Sequence, residues 1–271
     1  MRNLAVVFFG VALFITGFPW SVSGQTSSTA STAAQTPETP GFLTSYRYHL
    51  NASRLVSENE SFGWDTDFGG DLDVFDLKYF RGNVLLNFES IVGEQIRAID
   101  PNQGNYTADL STWWRTGVSE SELGMAFHHV SRHLSDRDKE FAISWNMLGL
   151  QYVMPLQLKG WDLDIAYRML KTVQRSFVDY TAEVGGGILA YRPMHRRVSL
   201  LVGAEVTLLS VDPDDRGRSD QLGGRFEIGA RFPGGAGFGE VFLSREQRID
   251  ADPMDLNPTN FTMLGFRFLS N

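Results

Sequence analysis

Trp161-Asp162-Leu163-Asp164-Ile165-Ala166-Tyr167-Arg168-Met169 is apolar at its odd positions and mostly charged at its even ones. That two-residue period belongs to a β-strand, whose side chains point to opposite faces in turn. The period recurs on either side. Phe226, Ile228, Ala230 and Phe232 share one face of a later segment, and Arg225, Glu227 and Arg231 share the other. Leu200, Val202, Val206 and Leu208 oppose Glu205 and Thr207, and Val184 and Ile188 oppose Glu183. Such strands suit either a soluble sandwich or a barrel in lipid. The connections between them separate the two.

The alternation predicts about twelve strands, the even number expected of a single-chain bacterial barrel. They span 43–56, 64–80, 83–96, 105–116, 121–133, 141–156, 161–172, 180–192, 198–211, 220–232, 236–248 and 260–269. Short connections are expected at Arg81-Gly82, Gly117 to Glu120, Leu158 to Gly160, Met194 to Arg197 and Pro233 to Gly235. Between them fall long polar ones: Ile96 to Tyr106, Arg132 to Glu140, Val173 to Asp179, Val211 to Asp220 and Gln247 to Asn260. Short turns at one end and long loops at the other are the layout of an all-β transmembrane antiparallel β-barrel in the bacterial outer membrane. Trp113, Trp114, Trp161, Tyr191 and Phe232 lie near the short turns and suit an interfacial aromatic girdle. Phe261 to Phe268 forms an alternating, aromatic last strand.

The N-terminus agrees with export. Met1-Arg2-Asn3 is a basic head, Leu4 to Phe18 an apolar run, and Pro19 to Gly24 a breaker followed by small residues. Residues 1–24 read as a signal peptide, the run being shorter than the ~20 residues of a spanning helix. Residues 25–41, rich in Ser, Thr, Ala and Gln, read as a disordered periplasmic linker, leaving 42–271 for the barrel. The chain has no cysteine, which excludes disulfides and a lipid-modified cysteine anchor; its net charge of -8 argues against a nucleic-acid partner.

One hairpin departs from ordinary barrel wall: Met125-Ala126-Phe127-His128-His129-Val130-Ser131-Arg132-His133-Leu134-Ser135-Asp136, returning as Ile143-Ser144-Trp145-Asn146-Met147-Leu148. Leu123, Met125 and Phe127 set the lipid-facing parity, so His129, Ser131 and His133 continue it. Leu148, Leu150, Tyr152 and Met154 set it on the return, so Asn146 faces lipid too, while His128 and Trp145 face the lumen. Residues two apart on a strand share a face with bases ~7 Å apart, and Asn146 falls roughly opposite His129. Serine, imidazole and carboxamide are nucleophile, base and orienter. An uncharged orienter suits the lipid boundary, where a carboxylate is costly, and a triad facing lipid implies a lipid substrate. His133 is a spare base at the start of the loop.

His129-Val130-Ser131 followed by Ser144-Trp145-Asn146 resembles the outer-membrane phospholipase A family, twelve-stranded barrels with His-x-Ser on one strand and Ser-Trp-Asn on the next. The resemblance implies His129 as base, Ser131 as nucleophile and Asn146 as orienter. It also implies calcium-dependent hydrolysis of membrane phospholipid acyl esters and activation as a homodimer through the lipid-facing wall. The sequence departs from the family where Arg132-His133-Leu134 replaces Asn-Gly-Arg, and where Ala142 replaces a calcium-binding serine. Ser135 and Asp136, with Asp138, are the oxygen ligands that could stand in. Ser131 to Asp136 also resembles the Ser-Ser-His-Leu-Gly-Asp motif of an uncharacterised envelope-protein family, which implies no activity.

Other readings stay open. His129 and Ser131 can be rim residues touching lipid headgroups in a narrow porin or a structural envelope protein. A lipid A deacylase also pairs His-x-Ser on a lipid-facing strand, with a Glu; Glu140 is the nearest candidate, its spacing is wrong, and that family has eight strands. Asp71, Asp73, Glu89, Asp164, Arg168, Glu183, Glu205, Arg225 and Glu227 read as a paired lumenal plug. Asp100 to Asn105 reads as a turn, with calcium binding the sharper alternative.

Overall fold

A strand with one charged and one apolar face can satisfy both between lipid and a polar interior, and closing the sheet leaves no edge backbone unpaired. The computed structural model of the chain describes residues 40–95, 97–118, 120–134 and 141–270. It contains β1 (Gly41–Val56), β2 (Trp64–Asp76), β3 (Phe80–Gly93), β4 (Asp100–Arg115), β5 (Glu122–Leu134) and β6 (Ile143–Leu158). There follow β7 (Trp161–Ser176), β8 (Tyr180–His195), β9 (Val198–Val211), β10 (Gln221–Pro233), β11 (Gly237–Arg248) and β12 (Thr259–Ser270). Each strand pairs antiparallel with its sequence neighbours, and β1 pairs with β12, so the barrel is closed. Residues 1–24 and the linker to residue 39 lie outside the described residues; Gly41, expected in the linker, already belongs to β1.

The two faces divide as the alternation requires. Leu86, Met125, Tyr167, Met169, Val241 and Leu264 lie exposed on the outer wall. Inside, arginines bridge carboxylates across strands. Arg81 holds Asp73 at 2.6 Å and Glu122 at 2.7 Å, and Arg267 holds Glu227 and Glu240 at 2.7 Å each. Arg248 joins Asp65, Glu246 and Glu89, and Arg168 pairs with Glu183. These ions satisfy one another in a space too narrow to hydrate them freely.

The rim opposite the strand ends Gly41 and Ser270 carries most of the longer loops, which makes it the extracellular one. There the segment after β11 folds into the barrel mouth, burying Ile249, Asp250 and Ala251. Asp250 accepts from Tyr180 Oη at 2.6 Å and pairs with Arg218 at 2.7 Å. Its carbonyl accepts from Arg132 Nη1 at 2.7 Å, and the Ala251 carbonyl from Gln103 Nε2 at 2.9 Å. Asp179 also binds Arg218, and burial of that guanidinium is outweighed by its two carboxylate partners, which raise its pKa.

Four expectations are corrected. Arg81-Gly82 is no turn: the chain turns at residues 77–79, with Lys78 at φ 70°, and both residues lie in β3. A bulge between Asp73 and Phe75 breaks the alternation there, and Gly82 is required because a Cβ would meet the Phe75 ring at 2.3 Å. Asp100 to Asn105 is strand, its polar side chains serving the lumen: Asn105 Nδ2 donates to Glu89 at 2.5 Å, and Asn102 Nδ2 to the Ser61 carbonyl at 3.2 Å. The loop expected over Val173 to Asp179 shrinks to 177–179, because β7 runs on to Ser176. Trp113 and Tyr191 do not join the girdle; both are buried inside, under Arg81 and Arg231.

Candidate active site on the lipid-facing wall

β5 alternates without interruption, so its outward series Leu123, Met125, Phe127, His129, Ser131 and His133 stays in phase, with Glu122, His128, Val130 and Arg132 buried inside. On β6, Ser144, Asn146, Leu148 and Leu150 face out while Ile143, Trp145 and Met147 are buried. The register sets His129 directly opposite Asn146 and Ser131 opposite Ser144. Behind them Val130, Ile143, Trp145, Met147 and Leu170 pack as an apolar core at the extracellular end of the lumen. That packing backs the wall on which the polar groups stand.

His129 Nδ1 lies 2.6 Å from Asn146 Oδ1. A carboxamide oxygen only accepts, so Nδ1–H donates and the lone pair is left on Nε2. The carboxamide is fixed in turn, its Nδ2 donating to Gln174 Oε1 at 2.9 Å. The strand alternation puts Gln174 inside; a bulge between Asn146 and Met147 in the β6–β7 ladder brings it out beside Asn146. The Ser131 hydroxyl is 3.1 Å from His133 Nε2, and no hydrogen bond joins it to His129. His133 stands edge-on to Tyr106, centroids 5.2 Å apart, and Tyr106 is the β4 partner of Ser131.

Three of the sequence-derived residues therefore share one outer face: His129 and Asn146 touch, and Ser131 touches His133. His128, next to the site in sequence, is inside and pairs with Asp109 at 2.5 Å. Ser135, Asp136, Asp138 and Glu140 lie outside the described residues. Among the described residues no group of three or more His, Asp or Glu could hold a metal ion.

No protein-family model matches the chain, and no curated protein sequence matches it. Solved structures do. Outer membrane phospholipase A from Escherichia coli is similar with a TM-score of 0.52 at 12% identity, over 85% of this chain and 98% of that one. The Salmonella typhi outer membrane phospholipase, a dimer with bound calcium, has a TM-score of 0.52 at 12% identity, over 83% of this chain and 90% of its own. An outer-membrane channel from Pseudomonas putida F1 has a TM-score of 0.50 at 11% identity, over 83% of this chain and 94% of its own. At such identities the likeness is one of fold. With its closed twelve-stranded sheet and apolar exterior, the chain is an outer-membrane β-barrel of the bacterial envelope.

Proposed function

We propose that this barrel is a lipid-acyl hydrolase of the phospholipase A kind, with Ser131 as nucleophile, His129 as general base and Asn146 as orienter. The observation that carries the reading is the hydrogen bond between His129 and Asn146 on the outer wall, which leaves Nε2 as the proton-accepting nitrogen. Serine is a weak nucleophile until a base takes its proton, and the base works best when a third group holds its tautomer and angle. Two polar residues and a serine facing lipid have no structural task there comparable to the ion pairs of the lumen. A bilayer lipid brings its ester to them by lateral diffusion.

Membrane phospholipid is the proposed substrate, with lipid A the alternative ester, and a homodimer through this wall belongs to the same reading. Calcium enters it only through Ser135 and Asp136, and no step depends on the ion. A porin is the weaker reading, because the segment Ile249 to Ala251 is buried at the extracellular end and bonded to Arg132 and Gln103 from the barrel wall.

The test is hydrolysis of phospholipid and of lipid A in mixed micelles by refolded wild type, Ser131→Ala and His129→Ala. Loss of Ser131 is expected to lower turnover on the order of 10⁴-fold. Equal turnover by all three proteins on both substrates ends the proposal.

A further inference from the structure

Ser131 has an imidazole on either side of it along one face of β5: His129 two residues before and His133 two residues after. The two rings are held differently. His129 is committed through Nδ1 to Asn146 at 2.6 Å, whereas His133 presents Nε2 to the serine hydroxyl at 3.1 Å. The His133 ring is also oriented, at 90° to the Tyr106 ring. Tyr106 sits directly across from Ser131 on β4, so its ring flanks the imidazole beside the hydroxyl it would deprotonate. These contacts meet the geometric demand on a general base, a nitrogen within hydrogen-bond reach of the proton it abstracts.

We propose that His133 is a second general base for Ser131, able to carry the acylation proton without His129. The proposal rests on the hydrolase reading above and adds a catalytic residue to it. As Oγ of Ser131 bonds to the ester carbonyl carbon, its proton passes to His133 Nε2. When the tetrahedral intermediate collapses, the bond from carbon to the leaving alcohol breaks, and that alcohol takes the proton from Nε2. Water then attacks the acyl-serine. His133 accepts the water's proton and returns it to Oγ as the fatty acid leaves. His129 offers the same service from the other side, so the serine has two outlets for one proton.

Redundant bases have a signature that a single essential base lacks: the two single losses are mild and the joint loss is severe. The experiment measures the rate at which a fluorophosphonate probe labels Ser131 across pH 5 to 9. It uses the refolded full barrel as wild type, H129Q, H133Q, H129Q/H133Q and S131A, with folding of each checked by heat-modifiable gel mobility. Glutamine keeps the polarity of each ring and removes its titration. Each single variant is expected to label about tenfold more slowly than wild type, and the double variant on the order of 10³-fold more slowly. H133Q is also expected to lose one ionisation from the pH–rate profile that H129Q retains, a change that a packing role for the ring would not produce. H129Q as slow as the double variant, or H133Q as fast as wild type with an unchanged profile, overturns the proposal and leaves the hydrolase reading standing. Wild type that labels no faster than S131A overturns the hydrolase reading and this proposal with it.

Discussion

His128 and His129 are neighbours in the chain and face opposite worlds. His128 is buried in the lumen against the Asp109 carboxylate at 2.5 Å; His129, on the outer wall, holds the Asn146 carboxamide at 2.6 Å. The inner pair sits among arginines and carboxylates that compensate one another, so a charged partner is tolerated there. On the outer face the partner of His129 is an uncharged carboxamide, itself bound to the Gln174 amide. A charge facing lipid costs up to roughly 2–4 kcal/mol at mid-bilayer and less near the rim, so an imidazole there is oriented without charge by an amide. The inner polar residues are structural cement. The outer ones, on the reading proposed above, serve chemistry rather than stability.

That contrast is open to attack from the inside first. Arg81→Met leaves the buried Asp73 with the Asn83 amide and Glu122 with the more distant Arg115 at 3.7 Å, and is expected to cost about 3–5 kcal/mol in urea unfolding of the lipid-reconstituted barrel, with hydrolysis by the surviving folded protein unchanged. A cost below about 1 kcal/mol means that water rather than pairing satisfies the lumenal charges. Asn146→Ala is the outer counterpart. It is expected to lower kcat about tenfold, the same as loss of the His129 ring it orients and about 1.4 kcal/mol in barrier height, while the urea midpoint stays near that of wild type. Unchanged kcat there removes the carboxamide from the mechanism. Asp109→Asn sharpens the comparison most finely, because it gives His128 an amide partner like the one His129 has outside. It is expected to cost about 1–2 kcal/mol of stability and leave kcat within about twofold. A fall in kcat matching that of Asn146→Ala makes the two faces one functional unit.

What could be read before folding follows the reach of local signals. The period of two in Trp161 to Met169 and its repeats leaves a closed sheet as the arrangement that satisfies both faces, and the uninterrupted parity of β5 puts His129 and Ser131 outside. The facing of His129 and Asn146 was legible from counting back along one hairpin, because a hairpin register propagates from its turn. Parity fails wherever a bulge intervenes. One between Asp73 and Phe75 hid the turn at 77–79, and another beside Asn146 brought Gln174 to the outside. Polar strands lining a polar lumen mimic loops, which is why Asp100 to Asn105 read as a turn, and aromatic residues whose partners are lumenal arginines mimic a girdle, as Trp113 and Tyr191 did.

The amino-acid order on its own determined the membrane, the closed sheet and which face of β5 carries the imidazoles, because each follows from spacing along a single strand or hairpin. Tertiary structure alone decided three further things. It packed Ile249 to Ala251 against Arg132 and Gln103, drew Gln174 up to Asn146, and set the Ser131 hydroxyl against His133, whose ring stands edge-on to Tyr106. These depend on distances between strands, on bulges and on rotamers chosen by neighbours far away in the chain, none of which a local period encodes.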